Sequence, residues 1–192
     1  MRNLPFLLVM CALSQAPASG QPSEKGPEAD CLEARVRREL DARYLQLEDA
    51  NRRKDLDALL ALRTRDYVAE MPGGQRMDYD ALTGYARAML QQVDRIAKLS
   101  NTILKLSMNG DEVTATVFQQ FSRTQMKGGA IRNVDTSVIQ DETWVRTPEG
   151  WKHRRVSNVH ARKWYVDGKR VDPKKPIDPE APPYNPPIDA DE

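Results

Sequence analysis

Glu142 to His160 reads ETWVRTPEGWKHRRVSNVH. Two tracts rich in β-branched and aromatic residues flank Thr147-Pro148-Glu149-Gly150, the pattern of a β-hairpin with Pro148-Glu149 at its tip. Alternation along the two strands then sorts the side chains into two faces. One face takes Gln140, Glu142, Trp144, Arg146, Trp151, His153, Arg155 and Ser157, with Trp144 opposite His153 and Glu142 opposite Arg155. The other takes Asp141, Thr143, Val145, Lys152, Arg154, Val156, Asn158 and His160. The two histidines fall on opposite faces and share no metal unless a bulge intervenes. The first face has two readings. It is a polar, aromatic-walled mouth with Glu142 as an acid and His153 as a base, or it is a salt bridge and an aromatic cluster that simply pack.

The chain before the hairpin supplies the rest of a sheet and its cover. Asp30 with Glu33 makes a capping box, and Leu32, Val36, Leu40, Tyr44 and Leu47 recur at helical spacing, so a helix is expected from Asp30 to about Arg53. Glu33 with Arg37 and Glu39 with Arg43 add ion pairs along its wet side. A short helix follows from Asp55, then a brief strand ended by Pro72-Gly73-Gly74, then a third helix carrying Leu82, Tyr85, Ala86, Met89, Leu90 and Val93 on one face. Asn109-Gly110 joins two long strands, Arg95 to Met108 and Glu112 to Gln125, and Gly128-Gly129 leads into the hairpin. Helices first and antiparallel strands after them define an α+β layout, three N-terminal helices on one face of a curved antiparallel sheet.

The ends read differently. Residues 1–18 have a short apolar run, Leu4 to Leu13, ahead of Ala16-Pro17-Ala18, the form of a cleaved secretory leader. Secretion or a periplasmic location follows as an expectation. No stretch approaches the roughly 20 apolar residues of a membrane span, so stable membrane insertion is not expected. Residues 19–29 read as a linker, 30–171 as the domain, and 172–192 as a proline-rich acidic tail that joins neither helix nor sheet. With 29 basic and 28 acidic side chains there is no net field to draw nucleic acid. Loss of the leader leaves Cys31 as the one cysteine, read as a small hydrophobe, with a thiolate at the helix start or an intermolecular disulfide as the alternatives.

Three strings in this order, KDLDALLALRTRDYVAEMPGG (54–74), YDALTGYARAML (79–90) and ETWVRTPEGWK (142–152), resemble the nuclear transport factor 2-like (NTF2-like) superfamily. The similarity is greatest to its small SnoaL-like and DUF4440-type members and covers about residues 31–171. It implies a cone, a curved sheet closed at one end by helices. The superfamily includes ketosteroid isomerase, whose pattern implies a hydrogen-bonding acid at Glu142. The resemblance puts that enzyme's base at Met71, which cannot take a proton, and its tyrosine at Leu47, one turn after Tyr44. Glu70, the neighbouring carboxylate, is expected to point away from Met71 by strand alternation.

From these residues the candidate catalytic groups are Glu142 and His153, with Asp66 as another partner for the acid. The candidate ligand-binding residues are Tyr67, Met71, Tyr85, Gln119, Trp144, Trp151 and Arg155. No metal or cofactor is implied, since H-E-x-x-H, paired cysteines, a phosphate-cradling glycine loop and G-x-S-x-G are all missing from the sequence. The expected function is binding of a small, partly apolar ligand, homodimer formation through the sheet, or both. The alternatives are a lyase, isomerase or cyclase using Glu142 as acid, and an assembly module alone.

Overall fold

The computed structural model describes residues 27–174; the leader, most of the linker and residues 175–192 of the tail lie outside the described residues. Helix α1 (Pro27–Arg52) starts three residues before the expected Asp30, since a proline fits the first helical position, where its missing N–H would have no partner. Its stripe Val36, Leu40, Tyr44 is buried, and Leu40, with no exposed surface, contributes about 1.5–3 kcal/mol by its burial. Cys31 is free and exposed. The Glu33–Arg37 pair forms at 3.8 Å, whereas Glu39 reaches the sheet at Arg146 and Trp151 instead of pairing with Arg43.

Asp55 caps α2 (Leu56–Ala61) by accepting the Ala58 N–H, and Asp78 caps α3 (Tyr79–Gln92) by accepting the Ala81 N–H. Ala50, Leu59 and Leu90 close the junction of the three helices. The strands are β1 (Arg63–Glu70), β2 (Arg76–Asp78), β3 (Val93–Asn109), β4 (Glu112–Lys127), β5 (Ala130–Thr147), β6 (Gly150–Val166) and β7 (Lys169–Arg170). They form one sheet in the order β2-β1-β6-β5-β4-β3, with β7 on β6. All pairs are antiparallel except β1 with β6, which run parallel, α3 and the four strands β2 to β5 intervening before the chain returns. Helix α1 packs on the sheet through Ile103, Leu106, Val113, Ala115, Val117, Trp144 and Trp151.

The hairpin tip is where alternation places it, with Thr147 paired to Gly150. Gly150 has φ 101°, and a Cβ there would lie 2.0 Å from Arg43 Nη2, whose guanidinium donates to the Glu149 carbonyl at 2.6 Å. Lys152 pairs with Glu149 beside it. Away from the tip the register departs from simple alternation. Trp144 faces His153 as expected, but Thr143 faces Arg155 and Glu142 faces Val156, so β6 carries one extra residue there. A second irregularity falls between Ile139 and Asp141, where Asn158 takes φ 52°. These bulges curve the sheet and decide what faces its hollow side.

Candidate functional site: a polar-ended cavity in the cone

Alternation on β5 points Gln140, Glu142 and Trp144 toward α1, where Tyr44 meets them. The Tyr44 hydroxyl donates to Glu142 Oε2 at 2.9 Å and accepts from Trp144 Nε1 at 3.1 Å. Gln140 Nε2 donates to the other carboxylate oxygen at 2.6 Å. Glu142 is only 2 % exposed, and both of its oxygens are met by protein donors. Burial first, then the Glu142 charge, pushes the Tyr44 hydroxyl well above its ordinary pKa, so it stays a donor.

His153 sits beside this group. Its ring stacks on Trp144 at 4.6 Å and meets the edge of Tyr67 at 5.2 Å. Nε2 lies 3.0 Å from the Arg155 carbonyl and 3.6 Å from Glu142 Oε2. A carbonyl only accepts, so Nε2 carries the proton and Nδ1 is a bare acceptor. That Nδ1 is buried and has no hydrogen-bond partner. Burial lowers the His153 pKa against the opposing pull of Glu142, which keeps the ring neutral at pH 7. Burial likewise raises Tyr67 to about 12, while Arg63, 5.3 Å over its ring, works the other way.

Tyr44, Tyr67, Glu142 and His153 line the deep end of a cavity of about 240 Å³. Polar walls continue through Asn51, Asn101, Gln119 and Gln140, with Gln119 Nε2 donating to Asn101 Oδ1 at 2.9 Å. The apolar part comes from Leu47, Ala69, Leu82, Met89, Leu99, Phe121, Val138 and Val156, and the rim from Met71, Pro72, Tyr85, Arg123 and Trp164. Among the described residues no cluster of three or more His, Cys, Asp or Glu could hold a metal ion.

Six residues expected from the sequence therefore come together here: Glu142, His153, Tyr67, Met71, Gln119 and Tyr85, the last half-exposed at the rim and not in the core. Trp144, Trp151 and Arg155 do not line the cavity. Trp144 forms the floor beneath His153, and Trp151, in the core between α1 and the sheet, donates Nε1 to Glu39 at 2.8 Å. The bulge after His153 turns Arg155 outward to solvent and removes the expected Glu142–Arg155 pair. Asp66 is exposed and pairs with Arg154 at 2.9 Å, away from Glu142. Glu70 does reach the cavity beside Met71, because the strand ends at Glu70 and alternation stops where Met71 enters the turn. His160 is exposed.

Sequence reasoning missed Arg63, Asn51, Asn101 and Arg123 as cavity residues. It also placed the tyrosine of the site at Leu47 when Tyr44, already in the buried helical stripe, supplies the hydroxyl. The stripe was the available signal for Tyr44. For Arg63 and Arg123 there was none, since their neighbourhood is made by strands far apart in the chain.

A cone of helices on a bulged, curved sheet, with a polar-ended hollow between them, is the architecture of the NTF2-like class. Within it a family model of the SnoaL-like domain matches residues 43–147, more than half of the chain, and the protein belongs to that family. Solved structures agree on the fold. A type 2 hexachlorocyclohexane dehydrochlorinase (LinA) is 12% identical with a TM-score of 0.58, over 79% of this chain and 99% of its own. A conserved protein from Planctomyces limnophilus DSM 3776 is 21% identical with a TM-score of 0.53, over 69% and 98%. An NTF2-like protein from Cytophaga hutchinsonii ATCC 33406 is 14% identical with a TM-score of 0.50, over 71% and 99%. No curated protein matches the sequence.

Proposed function

We propose that this SnoaL-like domain binds a small, partly apolar molecule inside the cone, its polar end toward Tyr67, Gln119 and His153. The observation that carries this reading is the cavity of about 240 Å³ with apolar walls and one polar end. An apolar cavity of about 150 Å³ accepts benzene, so this one suits a compound of roughly ten non-hydrogen atoms. A cone-fold neighbour named as a hexachlorocyclohexane dehydrochlorinase is consistent with a ligand of ring size. Native mass spectrometry of protein purified from its own host tests the reading. A retained small molecule is expected on the wild type and not on Leu82→Trp or Met71→Trp, which fill the cavity or its rim. Equal retention by all three proteins would refute it.

A second reading is favoured by one observation, the buried and unpartnered His153 Nδ1. There the domain is a lyase, isomerase or cyclase in which His153 takes a proton from the bound compound. Glu142, expected from the sequence as an acid, acts in this reading through its bond to Tyr44. Solvent deuterium exchange into 2-tetralone, followed by NMR, tests it. Exchange should fall by about 10²-fold or more in His153→Gln, as for loss of a positioned base. Exchange at the uncatalysed rate in the wild type would remove this reading and leave binding standing.

We propose export and homodimer formation as well. A mature N-terminus at Ser19 would support the first, and light scattering at twice the chain mass the second. The surface available for pairing is the outer sheet face, where Thr114, Thr116 and Phe118 lie opposite Thr143, Asp141 and Ile139.

A further inference from the structure

Arg123 is where the cavity opens outward. It lines the inner hollow and also a wider vestibule of about 750 Å³, and the two share Met71, Pro72, Tyr85, Met89 and Trp164. The charged side chains lining that vestibule among the described residues are Arg76, Arg123 and Lys174, with no carboxylate among them. Arg123 is partly buried, with its guanidinium 4.4 Å over the Phe121 ring and Nε donating to Gln125 Oε1 at 3.2 Å. No protein acceptor meets its Nη1 or Nη2 among the described residues, and neither nitrogen is sealed away in the way Nε of Arg63 and Arg132 are. Nor does any described carboxylate lie within ion-pair distance of it.

A guanidinium drawn partly out of water and left with two open donors is costly unless something completes it. Its planar fork matches the two oxygens of a carboxylate. The deep end carries the opposite sign through Glu142, and Glu70 adds a second carboxylate beside Met71; Arg63 there gives Nη1 to the Leu59 carbonyl at 2.8 Å and lies over the Tyr67 ring, with its Nε sealed away from the cavity. An anionic group is therefore repelled from the walls that carry Glu142 and Glu70 and attracted to the Arg123 side of the opening. Burial holds the Arg123 pKa below its ordinary value, with the nearby Tyr85 and Asp135 opposing, which agrees with a cation short of counter-charge.

We infer that the ligand class of this cavity is a small ring-bearing carboxylic acid whose neutral polar end, where it has one, faces Tyr67, Gln119 and His153, whose apolar body fills the cone, and whose carboxylate sits on the outward-facing fork of Arg123 in a basic vestibule. The inference rests on the cavity-binding reading above and adds the charge and the orientation of what is bound.

Isothermal titration calorimetry on the full chain separates the two. The probes are benzoate, cyclohexanecarboxylate and 2-naphthoate, each set against its own primary amide. In the wild type an acid should bind roughly tenfold to a hundredfold more tightly than its amide, the range of one charge-assisted contact. Arg123→Met should bring acid and amide to within roughly threefold by weakening the acid far more than the amide, and Arg123→Lys should keep part of the preference. Circular dichroism confirms that each variant is folded. Equal binding of acid and amide by the wild type overturns the carboxylate inference and leaves cavity binding standing. A preference that survives Arg123→Met also overturns it, and binding of no probe overturns both readings.

Discussion

Replacing Tyr44 by Phe removes one oxygen and strands two buried partners at once. Trp144, which has no exposed surface, loses the acceptor for its Nε1–H, and Glu142, 2 % exposed, loses one of its two donors. An unsatisfied buried neutral group costs about 1–3 kcal/mol and a hydrogen bond to a charged group about 1.5–3 kcal/mol. Some relaxation and water entry bring the sum to roughly 3–4 kcal/mol. The ring remains, so the T-shaped contact with Trp144 at 5.3 Å and the packing of α1 are retained. Urea unfolding at pH 7 reads the loss as a lower midpoint at unchanged slope. Thermal unfolding should fall by about 6–16 °C, at about 2–4 °C per kcal/mol for a domain of this size. The Glu142→Gln variant should couple to Tyr44→Phe, the double mutant costing less than the two singles together. A loss below about 1 kcal/mol, or strict additivity, would show that the hydroxyl does not bridge these two side chains.

Tyr67, raised from 10.0 to about 12, binds its proton more tightly folded than unfolded, so its contribution is complete below pH 10 and is lost as pH rises toward 12. Alkaline titration of stability should show a fall on the order of 2–3 kcal/mol from this group, and Tyr67→Phe should flatten the curve over that window. His153 is shifted the other way, below 6.5, so its contribution is present above pH 6.5 and lost as pH falls beneath it. His153→Gln should therefore lose less stability than the wild type between pH 6.5 and 5, measured by urea midpoints. Arg155→Ala should change stability by no more than about 0.5 kcal/mol and leave ligand binding intact, since its side chain is exposed; a large effect would mean that it faces Glu142 after all. Gly150→Ala should destabilise the hairpin by about 1–3 kcal/mol through its φ of 101° and the clash with Arg43, read by thermal unfolding.

Much of the fold was legible because it is written in local signals. Asp55 at a helix start, Asn109-Gly110, and the Pro148-Glu149 tip each fix a boundary without help from the rest of the chain. The parallel pairing of β1 with β6 was not legible, since nothing local records which strand a returning chain meets. Glu142 and His153 were found because alternation holds on β5 and as far as His153 on β6. It fails one residue later, and that single extra residue is why Arg155 was placed beside Glu142 and is in fact in solvent. Bulges leave weak sequence traces, because the extra residue is selected for curvature and not for a particular side chain. Arg123 was invisible for another reason. On a strand of Thr, Gln and Ser it reads as one more solvated cation, and only the approach of α3, the β1–β2 turn and Trp164 makes it the rim of a cavity.

The methionines allow the central claim to be read at atomic positions. Met71 and Met89 line the cavity, while Met126 is 45 % exposed on the sheet and Met108 packs under α1. With [methyl-13C]methionine labelling, titration by small ring compounds, neutral and anionic, should move the Met71 and Met89 methyl signals along saturable curves and leave those of Met108 and Met126 in place. Signals from Met71 and Met89 that stay fixed across the series, or move only together with Met126, would contradict a ligand-binding cone.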